Sequence, residues 1–184
     1  MSKLKPPEKV KLIVSVFSAF PGLLGESVGA LSERCGQIDF ISAMMAFDCT
    51  RYYEREMGGP LWRRFVSFET LIRPESLPDV KRTTNEIEEK FTREARRCVN
   101  IDPGYLSRAH LILATGKGYT HRPYLRDGVY AEVALIYQDK TFTPLPWTYP
   151  DYAQEKMRGM FNRIRERYLL QSQSERLTSA QSAE

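Results

Sequence analysis

The segment from Ile101 to Tyr152 constrains the fold most. It reads IDPGYLSRAHLILATGKGYTHRPYLRDGVYAEVALIYQDKTFTPLPWTYPDY, and apolar residues alternate with ionisable or hydroxylated ones through much of it. A period of two belongs to strands, whose successive side chains point to opposite faces. Arg126-Asp127-Gly128 and Gln138-Asp139-Lys140 divide the run, and Asp-Gly is a strong hairpin signal. The spacing predicts antiparallel strands at Ser107 to Thr115, His121 to Leu125, Val129 to Tyr137 and Thr141 to Leu145. The segment also holds both histidines and seven of the ten tyrosines. A second face so rich in His, Arg, Glu and Tyr is either a solvated sheet or the floor of a site.

Upstream, Val10 to Phe17 is nearly all apolar and valine-rich, as expected of a central strand covered on both faces. Pro21 and Gly22 break it. Leu23, Leu24, Val28, Leu31 and Cys35 then recur at helical spacing, and Gly36 suits a helix stop. Ile38 to Phe47 reads as a second strand, and Asp48 to Pro60 as an ordered loop or a single helical turn. Leu61 to Leu71 returns to strand character, with Trp62, Arg64, Val66 and Phe68 on one side and Phe65 on the other. Pro74 opens a helix of about five turns. Leu77, Val80, Thr84, Ile87 and Phe91 form its inner stripe, with Lys81, Arg82, Glu86, Glu88, Glu89 and Lys90 on its outer side. Arg97 to Asp102 is a candidate short strand.

The order strand, helix, strand, strand, helix, strand fits a ferredoxin-like βαββαβ half, extended by the antiparallel meander. A last helix is expected from Pro150 to Leu170, with an apolar stripe of Tyr152, Met157, Met160, Phe161, Ile164 and Tyr168 and a basic face of Arg158, Arg163, Arg165 and Arg167. Residues 1–170 then make one α+β domain. Gln171 to Glu184, rich in Ser and Gln, reads as a flexible polar tail.

Composition narrows the function classes. Hydrophobic residues are 42% and charged residues 27% of the 184, a globular balance. No run approaches the roughly 18 apolar residues of a membrane span. Lysines precede the apolar stretch Leu12 to Phe17, but that stretch is short and no small-residue cleavage site follows, so a first strand and a cytoplasmic location are expected. The three cysteines, Cys35, Cys49 and Cys98, lack a CxxC and argue against a disulfide framework or a structural zinc site. The net charge of +4 is spread among 27 basic and 23 acidic residues. A duplex-DNA binder concentrates more positive charge on one face, whereas this excess is compatible with an anionic ligand.

Five places can carry chemistry. Asp102-Pro103-Gly104-Tyr105 reads as a tight turn capped by Asp102, or as an acid held at the mouth of the sheet. In Thr115-Gly116-Lys117-Gly118-Tyr119-Thr120-His121-Arg122, glycines flank a lysine, which suits a phosphate or carboxylate as well as a plain hairpin loop. The GxxxxGK[ST] spacing of a P-loop is missing. Tyr130 and Glu132 share one strand face, opposite Val129, Ala131, Val133 and Leu135, and His121 or Arg122 can meet Glu132 across the hairpin. A His121–Glu132 pair suits acid–base work, and a cross-strand ion pair explains the same residues. Asp48, Glu56 and Asp102 are weakly spaced for a divalent metal, and no metal set is assigned. Pro146-Trp147-Thr148-Tyr149-Pro150-Asp151-Tyr152 is a rigid aromatic segment, able to stack on a base or sugar or to clamp the last helix.

Taken together, these motifs resemble the bacterial domain-of-unknown-function family 4416. The likeness rests on Phe47-Asp48 with Thr50, Tyr52-Tyr53-Glu54, Glu56-Met57-Gly58, Phe65, Ser67 and Phe68 with Leu71-Ile72, Thr84-Asn85 with Glu88, Asn100 with Asp102-Pro103-Gly104-Tyr105, Leu113-Ala114-Thr115 with Lys117, His121-Arg122, Tyr130-Ala131-Glu132, and Trp147 through Tyr152. It covers roughly Lys9 to Tyr152, brings no activity with it and leaves function and cofactor open. The residues themselves lead to a small anionic ligand, a nucleotide or phosphorylated metabolite. Lys117 and Arg122 would hold it, His121 and Glu132 would handle protons, and Asp102, Tyr105, Tyr130 and Trp147 would line the site. A non-catalytic RNA-binding module and a protein-interaction role are the alternatives.

Overall fold

The computed structural model describes residues 3–181. The first half runs β1 (Val10–Ser18), α1 (Pro21–Cys35), β2 (Ile38–Ile41), β3 (Met45–Ala46), α2 (Glu54–Met57), β4 (Trp62–Ile72) and α3 (Leu77–Lys90). A small hairpin, β5 (Thr92–Arg93) and β6 (Arg96–Arg97), leads into β7 (Val99–Leu106). The meander is β8 (His110–Thr115), β9 (Tyr124–Arg126), β10 (Val129–Gln138) and β11 (Thr141–Pro144), followed by α4 (Pro150–Ala153) and α5 (Glu155–Gln181). One antiparallel sheet runs in the order β11-β10-β8-β7-β1-β4-β2, with β3 added to β4 and β9 to β10. The protein is thus α+β with a C-terminal helix. No helix among the described residues is long and apolar enough to cross a membrane.

The central position of β1 explains its composition. It pairs with β4 on one side and β7 on the other, and every residue in it is buried. Leu12, Val14 and Val16 pack with Leu23, Leu24, Val66, Phe68, Ile87 and Ile101 under α1 and α3. Ile13 packs on the other face with Phe65, Leu106, Leu111 and Phe142 beneath Phe161, Ile164 and Tyr168 of α5. Helices therefore cover both faces.

Several boundaries differ from the sequence expectation. The strand expected over Ile38 to Phe47 is split into β2 and β3, both on β4. The strand expected from His121 shrinks to Tyr124–Arg126, preceded by a single bridge between Tyr119 and Arg122. A register shift between Val133 and Leu135 turns Leu135 into the α5-side core, away from Val129 and Ala131, because one extra residue reverses the faces of a strand. The last helix does not stop at Leu170 but continues to Gln181, because Gln171 and Ser172 still meet the body of the protein. The end of the expected tail, residues 182–184, lies outside the described residues.

The largest departure is at Asp102-Pro103-Gly104, which forms no turn but the middle of β7. β7 pairs with β1 from Val99 to Leu106, yet with β8 only from Gly104 to Leu106. The Ile101 N–H is given to Glu88 Oε1 at 2.6 Å, not to a strand. Pro103, two residues on, has no N–H to offer in that direction. At Gly104 a Cβ would run into the Ile112 carbonyl oxygen and stand 2.8 Å from Leu113 Cδ2. Glycine lets the strands touch, proline ends the ladder beside it, and β7 and β8 splay apart from there.

Candidate functional site

The splay opens a cavity of about 1010 Å³, at the upper end of small-molecule sites, which run roughly 300–1,000 Å³. Asn100 and Asp102 of β7, Leu113 to Thr115 of β8 and Glu132 of β10 line it from the sheet. Lys81, Asn85, Glu88 and Glu89 reach it from α3, and Thr92 and Arg97 from the hairpin. Phe47, Tyr52 and Tyr53 close one side, and Gly116, Lys117 and Arg122 another. Tyr149, Pro150, Asp151 and Tyr152 bring in the start of α4. Most of this lining consists of residues on which the family resemblance rests.

Of the residues expected to form a site, Asp102, Lys117, Arg122 and Glu132 line this cavity. His121 abuts Glu132, Nε2 to Oε2 at 3.8 Å, but its ring is stacked on Trp147 at 5.0 Å and 16°. The closer partner of Glu132 is Arg122, Nε to Oε2 at 2.6 Å. The cross-strand ion pair is therefore present, and the carboxylate is held by arginine in preference to histidine. His121 does not line the cavity, and neither do the remaining three, Trp147, Tyr130 and Tyr105. Trp147 donates its Nε1–H to the Val133 carbonyl at 3.0 Å and clamps β10. The Tyr130 ring lies over Gly118 and against Tyr124. Tyr105 points to the opposite face of β7, with Ile112 and Leu77, because residues 102 and 105 fall on alternate faces. Glu56 is engaged by Arg97 at 2.9 Å, whereas Asp102 accepts from Asn100 Nδ2 at 2.6 Å and pairs with Lys81 at 3.4 Å. Among the described residues no group of three or more His, Cys, Asp or Glu side chains is placed to hold a metal ion.

Sequence periodicity missed several lining residues. Lys81 and Glu88 are placed by the helical stripe on the outer side of α3, yet both turn into the gap left by β8. Lys81 Nζ donates to the Ile101 carbonyl at 3.2 Å while Glu88 takes the Ile101 N–H, so α3 satisfies the peptide groups that the missing ladder leaves open. Arg63 is 5% exposed, stacks 3.6 Å from the centre of the Phe47 ring and pairs with Asp151. A signal was present there: Arg63 shares its strand face with Phe65 and Ser67, an odd place for a charge unless it is paired.

The lining charges are mostly compensated. Arg63 pairs with Asp151, Lys81 with Asp102, Arg97 with Glu88 at 3.3 Å and Arg122 with Glu132. Lys117 is different. Its Nζ meets the Tyr52 hydroxyl at 3.1 Å and lies 4.6 Å from that ring's centre, and among the described residues no carboxylate is within ion-pair distance of it. Burial raises Glu88 above the usual carboxylate range. Burial, reinforced by the Asp102 charge, pushes the Tyr53 hydroxyl up to about 12. Burial and then the Glu132 charge raise Tyr149. These tyrosines stay protonated at neutral pH and present O–H donors. Two buried lining atoms, Glu132 Oε1 and Arg63 Nε, have no hydrogen-bond partner among the described residues.

The family model described as "Domain of unknown function (DUF4416)" matches residues 8–168. No curated protein and no solved structure matches the chain.

Proposed function

The chain belongs to the DUF4416 family, and we propose that it binds a small anionic ligand, a nucleotide or phosphorylated metabolite, in the cavity between β7 and β8. The observation that carries this reading is Lys117, an unpaired lysine at the edge of a cavity whose other lining cations each face a carboxylate. The four ion pairs cancel, and Lys117 is left with a positive charge that no carboxylate among the described residues meets. The one other lining charge outside these pairs is Glu89 on α3, so the positive charge is local to the Lys117 loop. An anion supplies what that charge lacks at little desolvation cost, because the site is already polar.

We also read the half made by β1, α1, β2, β4, α3 and β7 as ferredoxin-like. Its strand order β7-β1-β4-β2, with a helix after β1 and another after β4, supports that reading. The covered faces weigh against the RNA alternative, because base stacking on such a sheet needs an open aromatic face.

Thermal denaturation in the presence of inorganic phosphate, nucleotides and sugar phosphates tests the proposal. A ligand at about 100 times its dissociation constant adds roughly 2.7 kcal/mol of stability. Lys117→Ala is expected to abolish most of the shift without lowering the melting point of the free protein, since Lys117 is exposed. No shift with any anion, or an equal shift in Lys117→Ala, sinks the reading.

A further inference from the structure

Glu132 is 2% exposed, an unusual burial for a carboxylate that lines a cavity. Its Oε2 accepts from Arg122 Nε and faces His121 Nε2 at 3.8 Å, and the Tyr149 hydroxyl stands beside the carboxylate. Its Oε1 has no donor in hydrogen-bond geometry among the described residues. A buried acceptor left unmatched is costly, and native proteins rarely keep one without a reason. The charge of Glu132 is answered by Arg122, so what Oε1 lacks is a hydrogen and not a cation. An ammonium group there would crowd Arg122 and Lys117 with a further positive charge. A neutral hydroxyl would not.

The same guanidinium sets how far this acceptor lies from the anion anchor. Arg122 Nε reaches Glu132, its Nη1 donates to the Lys117 carbonyl at 3.1 Å, and its Nη2 donates to the Tyr149 hydroxyl at 2.9 Å. The anchor loop and the Glu132 carboxylate, through its Oε2, are thus bridged by one side chain. Tyr52, Tyr53 and Tyr149 add ring surface to the same cavity, suited to the C–H faces of a compact, hydroxylated ligand.

Resting on the anion-binding reading above, we infer that Glu132 selects a hydroxyl placed close to the anionic group, so that the ligand class is a polyhydroxy phosphate of sugar-phosphate type and not a bare anion or an aminated one. Glu132 acts as a specificity determinant through Oε1, and Lys117 as the anchor.

Calorimetric titration of the full chain with glycerol 3-phosphate, propyl phosphate, ribose 5-phosphate and inorganic phosphate separates the two roles. The wild type should bind glycerol 3-phosphate about tenfold or more tightly than propyl phosphate, as one hydrogen bond to a charged acceptor implies. Glu132→Ala should bring the two ligands within about threefold of each other, while Lys117→Ala weakens every phosphate alike. Tyr149→Phe should leave the preference intact. Equal binding of glycerol 3-phosphate and propyl phosphate by the wild type overturns the inference while leaving the anion reading standing, and needs no variant to fold. Preference retained in Glu132→Ala, or lost in Tyr149→Phe, also overturns it by moving the selection elsewhere. If no phosphate binds, or if Lys117→Ala binds them all unchanged, the anion reading itself falls.

Discussion

At the scale of single residues, Pro103, Gly104 and Glu88 make the cavity. Gly104 has its extended strand neighbours so close that the Ile112 carbonyl and Leu113 Cδ2 occupy the space of a side chain. Backbone on one side and core on the other cannot yield freely. Gly104→Ala is therefore expected to destabilise the fold by about 1–3 kcal/mol, the range of an overpacked core, measured by urea denaturation. Unchanged stability would show that β8 can move away at no cost. Glu88 makes a pH prediction. Burial raises its folded pKa, so the folded protein binds the proton more tightly than the unfolded chain does. Its contribution is fully present below the ordinary carboxylate pKa and is lost as pH rises through the raised value. Glu88→Gln should flatten that decline, while the amide oxygen still accepts from Ile101. An unaltered pH profile of stability in this variant would mean that Glu88 is not the group responsible.

At the scale of elements, β1, β4, α3 and β10 were legible because each declares itself locally: a valine-rich run, an alternation, a stripe at helical spacing, an Asp-Gly turn before a strand. The ends were less so. α5 outruns its apolar stripe because polar contacts continue it. Lys11 of β1, 1% exposed, is paired with Asp39 and donates to Gln171 Oε1 at 2.7 Å, and Gln171 Nε2 donates to the Glu69 carbonyl. A chain ended at Leu170 leaves the buried Lys11 with one partner fewer. It should lose about 1–3 kcal/mol, the cost of an unmet buried polar group, which chemical denaturation would register. Full stability after that truncation would return residues beyond Leu170 to the role of a tail. The bulge in β10 makes the same point in reverse, since no residue type between Val133 and Leu135 announces that the strand changes face there.

At the scale of the whole molecule, the sheet is a seven-strand path held together in its middle by the short β7–β8 contact at Gly104, Tyr105 and Leu106. The cavity lies where that contact stops, so a ligand in it touches both halves. Hydrogen exchange should show this. Bound phosphate is expected to slow amide exchange around Gly116 to Arg122 and in α4, and to leave the β2 edge unaltered. Slowing spread evenly over the chain would indicate general stabilisation without a site. The sequence alone determined the α+β class, the meander, the covered central strand and the presence of Lys117, Arg122, Glu132 and Asp102 among the chemically able residues, because periodicity and turn chemistry act over a few residues. The tertiary structure decided which of these meet. Arg63 with Asp151, Lys81 with Asp102, and the exclusion of Tyr105, His121, Tyr130 and Trp147 from the cavity all depend on strand order and on where β8 leaves β7. Those are long-range matters, set by which strands pair and how closely their backbones approach, and a local pattern carries no record of its distant partner.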